Sequence, residues 1–266
     1  MVRDIPDLSG WIIIVTGGNT GIGYEIIKAV LLKNAKVYMA TRSSEKAAVA
    51  IARLKVETGG KEAIFLELDL ASLSSVRNAA NDFKQKESAL HVLFNNGGVM
   101  NTPIQLLTTD GYDLQFGTNV IGHYVLFKEL LTPLLAGAQS SQDKKARIVN
   151  MSSSAQMFID TIHFDTIKDT PKRRKLGSAK LYMQSKLSQS WKHKNGSTKT
   201  YTLSIHVTFS SLGALTPLYA GVSSASGDLN GKYLIPWARI GKMRPEASDL
   251  SVGEKLWKWL EDETKS

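Results

Sequence analysis

The chain has 266 residues, no cysteine, five histidines and a formal net charge of +9. Without cysteine there is neither a disulfide scaffold nor a thiolate metal site, and the histidines show no HxxxH spacing, so metal chemistry is not expected. With 42% hydrophobic residues the chain can bury one substantial core, and no apolar run reaches the length of a membrane span or signal h-region, so a single domain over 1–266 in the cytoplasm is expected.

The basic excess is partly local, in "KKAR" (144–147) and "PKRRK" (171–175). These read as two solvated loops. They lack the interleaved aromatics of a single-strand-binding surface, so no nucleic-acid partner is expected. A basic field does attract an anionic dinucleotide.

Short apolar runs alternate along the chain with longer segments of helical period, the pattern of βαβ units building a parallel sheet. The runs are "WIIIV" (11–15), "KVYMA" (36–40), "AIFLEL" (63–68), "HVLF" (91–94), "RIVNM" (147–151), "LSIHV" (203–207) and "KYLIP" (232–236). Between the second and third lies "SSEKAAVAIARLKVETGG", with Ser43 or Ser44 placed to cap the start of a helix and Gly59 to end it.

The first run leads directly into "TGGNTGIG" (16–23), and "YEIIKAVLL" follows as a helix. Glycines 17, 21 and 23 let the backbone turn sharply and approach a pyrophosphate, whose charge the free N–H groups of the helix start favour. Thr16, Gly17, Asn19, Thr20, Gly21, Ile22 and Gly23 are therefore candidate cofactor residues. The fold expected is α/β: a single-domain Rossmann fold, a doubly wound parallel sheet with helices on both faces. The end of strand two usually carries an acid that binds the adenosine ribose. Here "ATRSS" places Thr41 at that position and Arg42 after it, which removes the carboxylate that repels a 2′-phosphate and supplies a guanidinium to pair with one, so NADP(H) is favoured. Asp69, in "LELDL", either touches the adenine edge or caps the following turn.

A tyrosine precedes a lysine by one helical turn three times: "YEIIK" (Tyr24, Lys28), "YVLFK" (Tyr124, Lys128) and "YMQSK" (Tyr182, Lys186). Spacing alone cannot choose among them. Taken in order, "TGGNTGIG", "LDL", "NNGG" (95–98), "RIVNMSSS" and "YMQSK" resemble a classical short-chain dehydrogenase/reductase. The passages "GYDLQFGTNVIGHYVLFKELL" and "DLNGKYLIPWARIGK" are similar to the fungal branch related to retinol dehydrogenases. The resemblance covers about residues 5 to 188 and 213 to 262.

The resemblance implies that Tyr182 exchanges the proton and that Lys186 is its electrostatic partner and a ribose ligand. It further implies that Ser153 bonds the carbonyl oxygen, that Asn119 holds a water relaying protons, and that Asn95 lies in the cofactor site. Each unit by which a phenol's pKa falls requires about 1.4 kcal/mol of preference for its anion, which Lys186 and the cationic nicotinamide can supply. Tyr24 and Tyr124 are expected to pack instead. Strand alternation points Ser153 away from the side of Ser152 and Ser154.

The sequence departs from the family after Lys186. "LSQSWKHKNGSTKT" (187–200) lacks the apolar stripe of a helix that packs on the sheet and on a partner subunit, which leaves the oligomeric state open. The family's Pro-Gly turn after strand six is replaced by Val207 and Thr208, and the substrate lid is abbreviated. What these features imply is an NADP(H)-dependent oxidoreductase interconverting an alcohol and a ketone or aldehyde on a bulky, lipophilic small molecule, with secondary metabolism as the setting. The alternative is a cofactor-binding protein with weak or no turnover.

Overall fold

The computed structural model describes residues 5–189, 200–204, 210–224, 229–242 and 249–265. The first half alternates strand and helix as its apolar periodicity requires: β1 (Ile12–Thr16), α1 (Gly21–Leu32), β2 (Lys36–Thr41), α2 (Ser44–Glu57), β3 (Ile64–Glu67), α3 (Leu73–Lys86) and β4 (Val92–Asn95). Ser43 caps α2 by accepting from the N–H of Lys46 at 3.2 Å, and Gly59 follows the helix in the left-handed region at φ 69°. Next come α4 (Leu114–Phe116), a π-helical turn (Gly117–Ile121), α5 (Gly122–Glu129), α6 (Leu131–Ser140) and β5 (Arg147–Ser152). The remainder comprises α7 (Pro171–Leu176), α8 (Ser178–Ser188), β6 (Thr200–Ser204), α9 (Ser210–Gly213), α10 (Leu215–Val222), β7 (Tyr233–Ile235), β8 (Arg239–Ile240) and α11 (Leu250–Glu263).

Among the described residues the strands form one sheet in the order β3-β2-β1-β4-β5-β6-β7-β8, parallel throughout except for the antiparallel β7–β8 pair. Both faces are covered, which explains strands that are apolar on both sides. On β1, Ile13 and Val15 enter one core with Ile27 and Val30 of α1, Leu54 of α2 and Leu218 of α10. Ile14 enters the other with Phe83 of α3, Val125 of α5 and Leu256 of α11. The expected doubly wound Rossmann sheet is thus present. The strand order reverses between β1 and β4, and the crevice outside their carboxyl ends is where such sheets bind ligands.

Three expectations need correction. Strand six begins earlier than its apolar run, at Thr200, and pairs with β5 through Thr200–Ser204; of the expected 203–207, residues 205–207 lie outside the described residues, as do Thr208 and 190–199. "PKRRK" is not a solvated loop: it forms α7, where Thr170 accepts from the N–H of Arg173. Arg173 is 1% exposed and pairs with the buried Asp113 at 3.1 Å. Likewise Arg147 of "KKAR" is buried at the start of β5, ion-paired with Asp143 and lying over the Trp11 ring. No helix among the described residues is long and apolar enough to cross a membrane.

Candidate active site

The glycine-rich segment joins β1 to α1 at the switch point. Gly17 sits at φ 64°, and a Cβ there would stand 2.9 Å from the Cα of Gly97. A Cβ on Gly23 would come within 2.5 Å of the Gly17 carbonyl oxygen. Both positions thus exclude a side chain and leave a bare backbone cradle. Thr16 locks the cradle to β4, since its Oγ1 accepts from the N–H groups of Asn96 at 2.9 Å and Gly97 at 2.8 Å. Thr20 occupies the N-cap of α1 without a side-chain capping bond, and Gly21 opens the helix at φ 57°. Ile22 packs its side chain on the core, so only its backbone belongs to the loop. This uncapped helix start behind a side-chain-free turn fits the pyrophosphate of a dinucleotide.

At the end of β2 the Thr41 hydroxyl donates to Asn19 Oδ1 at 3.1 Å. Asn19 is thereby fastened to the strand that presents Arg42, which is exposed. Asp69 adopts the capping arrangement of the two that its sequence position allowed: its Oδ1 accepts from the N–H of Ala71 at 2.9 Å. Asn95 is 2% exposed and donates through Nδ2 to Asn150 on β5 at 2.8 Å. Its side chain is therefore engaged within the sheet, while the following Asn96 and Gly97 line the cradle.

Ser153, Tyr182 and Lys186 come together at the carboxyl end of β5. Ser153 is extended just past the strand, its Oγ accepting from the N–H of Ala155 at 3.2 Å, and its hydroxyl acts on the Tyr182 phenol, pulling its pKa down. Ser152 points elsewhere, donating to the Lys186 carbonyl at 2.7 Å, as strand alternation requires. Four residues apart on α8, Tyr182 and Lys186 share a face, with Nζ 5.7 Å from the tyrosine ring centre. Burial pushes the phenol pKa up, and the Ser153 hydroxyl partly opposes it. Burial pulls the Lys186 ammonium down to about 8. Nζ donates to the Met151 carbonyl at 2.9 Å and to Gln189 Oε1 at 2.8 Å.

The other two tyrosine–lysine pairs diverge. Tyr24 is buried beneath the Arg53 guanidinium, and Lys28 pairs with Glu57 at 2.7 Å. Tyr124 packs edge-on against Trp257, 5.2 Å between centroids, while Lys128 faces Glu261 at 3.6 Å.

Asn119 is fully buried on the π-turn. Its amide accepts from the N–H of Val99 at 2.9 Å and donates to the Val99 carbonyl and Ser185 Oγ, each at 3.0 Å. Two residues that sequence reasoning missed meet its backbone carbonyl: His123 through Nδ1 at 3.0 Å and Gln189 through Nε2 at 2.8 Å. His123 Nε2 lies 2.9 Å from Thr16 Oγ1, so the imidazole ties the cradle to the π-turn. Full burial and the nearby Lys186 charge lower its pKa to about 4, which keeps it neutral. The available signal was spacing, since His123 is one helical turn beyond Asn119 and Gln189 nearly one turn beyond Lys186.

A family model for short chain dehydrogenases matches residues 11–162. A short-chain dehydrogenase/reductase of Armillaria gallica is 49% identical, with 99% of this chain and 93% of the relative covered. One of Phomopsis amygdali is 30% identical, covering 98% and 91%. The crystal structure of an uncharacterized protein from Mycobacterium Paratuberculosis superimposes with a TM-score of 0.80 at 26% identity, covering 100% of this chain and 97% of that one. The fold, the glycine cradle, the Ser153–Tyr182–Lys186 cluster and these likenesses agree: the chain belongs to the short-chain dehydrogenase/reductase family of nicotinamide-dependent oxidoreductases.

Proposed function

We propose that the protein is an NADP(H)-dependent oxidoreductase that interconverts an alcohol and a ketone or aldehyde on a bulky apolar metabolite. The observation that carries this reading is the convergence of Ser153, Tyr182 and Lys186 beside the glycine cradle. When bound, the nicotinamide supplies or takes the hydride at the carbonyl carbon. Tyr182 gives its proton to the carbonyl oxygen in reduction and takes it back in oxidation, while Ser153, which acts on the phenol, donates a hydrogen bond to the same oxygen. The buried Lys186 ammonium stabilises the phenolate. Residues 16–23 hold the pyrophosphate, and Arg42 pairs with the 2′-phosphate, which selects NADP(H) over NAD(H). Asp69 and Asn95 contribute by shaping the loops that border the adenine and the cradle.

The abbreviated lid is part of this reading. Residues 205–209 alone separate β6 from α9, and α10 returns at once to the sheet core through Leu218 and Val222. The alignment with the Armillaria gallica relative runs over 293 positions, more than the 266 residues of this chain, so it carries gaps on this chain's side. An open cleft admits a large substrate but holds it weakly, with KM at or above about 1 mM. Cytosolic reduction in fungal secondary metabolism is the setting proposed. The same short connection favours a second reading, a cofactor-binding protein with little turnover. Single-turnover oxidation of NADPH with a panel of lipophilic ketones separates them: decay of the nicotinamide absorbance supports the enzyme, and NADPH binding without decay for any ketone supports the alternative.

A further inference from the structure

Gln189 closes α8 at its C-cap. Its carboxamide lies between two buried groups of opposite polarity. Oε1 accepts from Lys186 Nζ at 2.8 Å, and Nε2 donates to the Asn119 carbonyl, also at 2.8 Å. Gln189, Lys186 and Asn119 are all buried. The carbonyl is presented by the π-turn, in which the Gly122 N–H reaches back to Gly117 and shifts the helical ladder out of α register. Gly98 leaves room on the other side, since a Cβ there would stand 2.8 Å from Asn119 Oδ1 and 3.8 Å from Lys186 Nζ.

An ammonium can only donate and a carbonyl can only accept. A bridge between them must therefore accept at one end and donate at the other. A water does this, and so does a carboxamide. We propose that Gln189 stands where the resemblance places a proton-relaying water, and that it is a positioning residue that holds the Lys186 ammonium beneath Tyr182. The inference rests on Tyr182 and Lys186 forming the catalytic pair proposed above. The substitution has a chemical consequence. A water can accept a proton from the lysine while giving up its own, whereas an amide would have to become an imidic acid. Tyr182 therefore regains the proton it gives to the substrate from solvent in the cleft, not from the Asn119 side.

Among the described residues, the titratable groups that face Lys186 include Tyr182 on its own helix and His123 from α5. His123 stays neutral down to about pH 4. Burial lowers the Lys186 pKa, and the Met151 carbonyl and Gln189 Oε1 are among the groups that accept from its ammonium.

The test compares Gln189→Leu, which removes both polar ends at similar volume, with Gln189→Ala, which leaves space for a water; Gln189→Met replaces the leucine variant if that does not fold. NMR titration of labelled lysine Cε atoms, with Lys186→Met to assign the resonance, reads the Lys186 pKa without any turnover. The leucine variant is expected to lower that pKa by about one unit, because the ammonium loses an acceptor. It is also expected to slow single-turnover NADPH oxidation by about tenfold with a displaced pH profile. The alanine variant should recover most of both through an entering water. An unchanged Lys186 pKa and pH profile in the leucine variant overturns the proposal, as does equal impairment of the leucine and alanine variants at matched folded fraction. If the wild type shows no NADPH oxidation, the oxidoreductase reading fails, and the lysine titration alone decides the role of Gln189.

Discussion

Replacing Arg173 with methionine should destabilise the protein far more than a charge in a basic helix suggests. Arg173 and Asp113 both lie nearly solvent-free, at 1% and 2% side-chain exposure. Besides the aspartate, the guanidinium holds the Leu106 carbonyl at 2.9 Å. Asp113 Oδ1 meanwhile caps α4, accepting from the N–H groups of Gln115 at 3.1 Å and Phe116 at 2.9 Å. The methionine keeps most of the volume but leaves the carboxylate buried without its counter-charge, a loss of about 3 to 5 kcal/mol. For a chain of this size that corresponds to a fall in Tm of about 10 °C. The pH dependence has a definite sign. Burial already holds the Asp113 pKa above the usual carboxylate range despite Arg173, and removing the cation raises it further. An acid whose folded-state pKa is raised costs stability as pH climbs from its unfolded value through the folded one. The deficit should therefore be larger at pH 8 than at pH 5. Thermal denaturation at the two values, with Asp113→Asn/Arg173→Met expected to recover part of the loss, checks this. A single variant melting within about 2 °C of wild type at pH 8 would refute the reasoning.

Arg42→Ala should weaken NADPH by about tenfold, the lower end for a charge-assisted contact because the site is exposed, and leave NADH nearly unchanged; equal loss of both in fluorescence titrations would contradict the assignment. Gly23→Ala should abolish tight binding of either cofactor, because its Cβ would press on the Gly17 carbonyl at 2.5 Å; titration within about twofold of wild type would show that the cradle yields. His123, whose pKa is depressed to about 4 by burial, contributes stability that is present above its unfolded value and lost as pH falls towards 4. Wild type should lose about 2 kcal/mol between pH 7 and pH 5 from this group, and His123→Gln should remove most of that slope. Denaturant melts at the two pH values measure it, and an unchanged slope would mean that the imidazole is not held neutral.

Much of the fold was legible because the central strands β1, β2, β4 and β5 are buried on both faces. Residues such as Ile13 and Ile14 must both be apolar, and the resulting runs stand out between amphipathic helices. Caps were legible where the partner is local, as with Ser43 and Lys46. The start of β6 was not, since the β5 strand it pairs with lies far away in sequence. Arg173 was misread for the same reason: five consecutive residues rich in positive charge look solvated, and nothing local reveals the buried Asp113, 60 residues earlier. At the site, Ser153, Tyr182 and Lys186 were visible because their types and order are specific. His123 and Gln189 were not, because histidine and glutamine acquire a role only through partners such as Thr16 and Asn119, which the fold supplies.

The most direct test of the account follows the nicotinamide absorbance in a single turnover of NADPH with a lipophilic ketone, comparing wild type with Tyr182→Phe, Tyr24→Phe and Tyr124→Phe. The account predicts decay in wild type and in the Tyr24 and Tyr124 variants. It predicts none in the Tyr182 variant, although that protein still titrates with NADPH. Decay at the wild-type rate in Tyr182→Phe would contradict it.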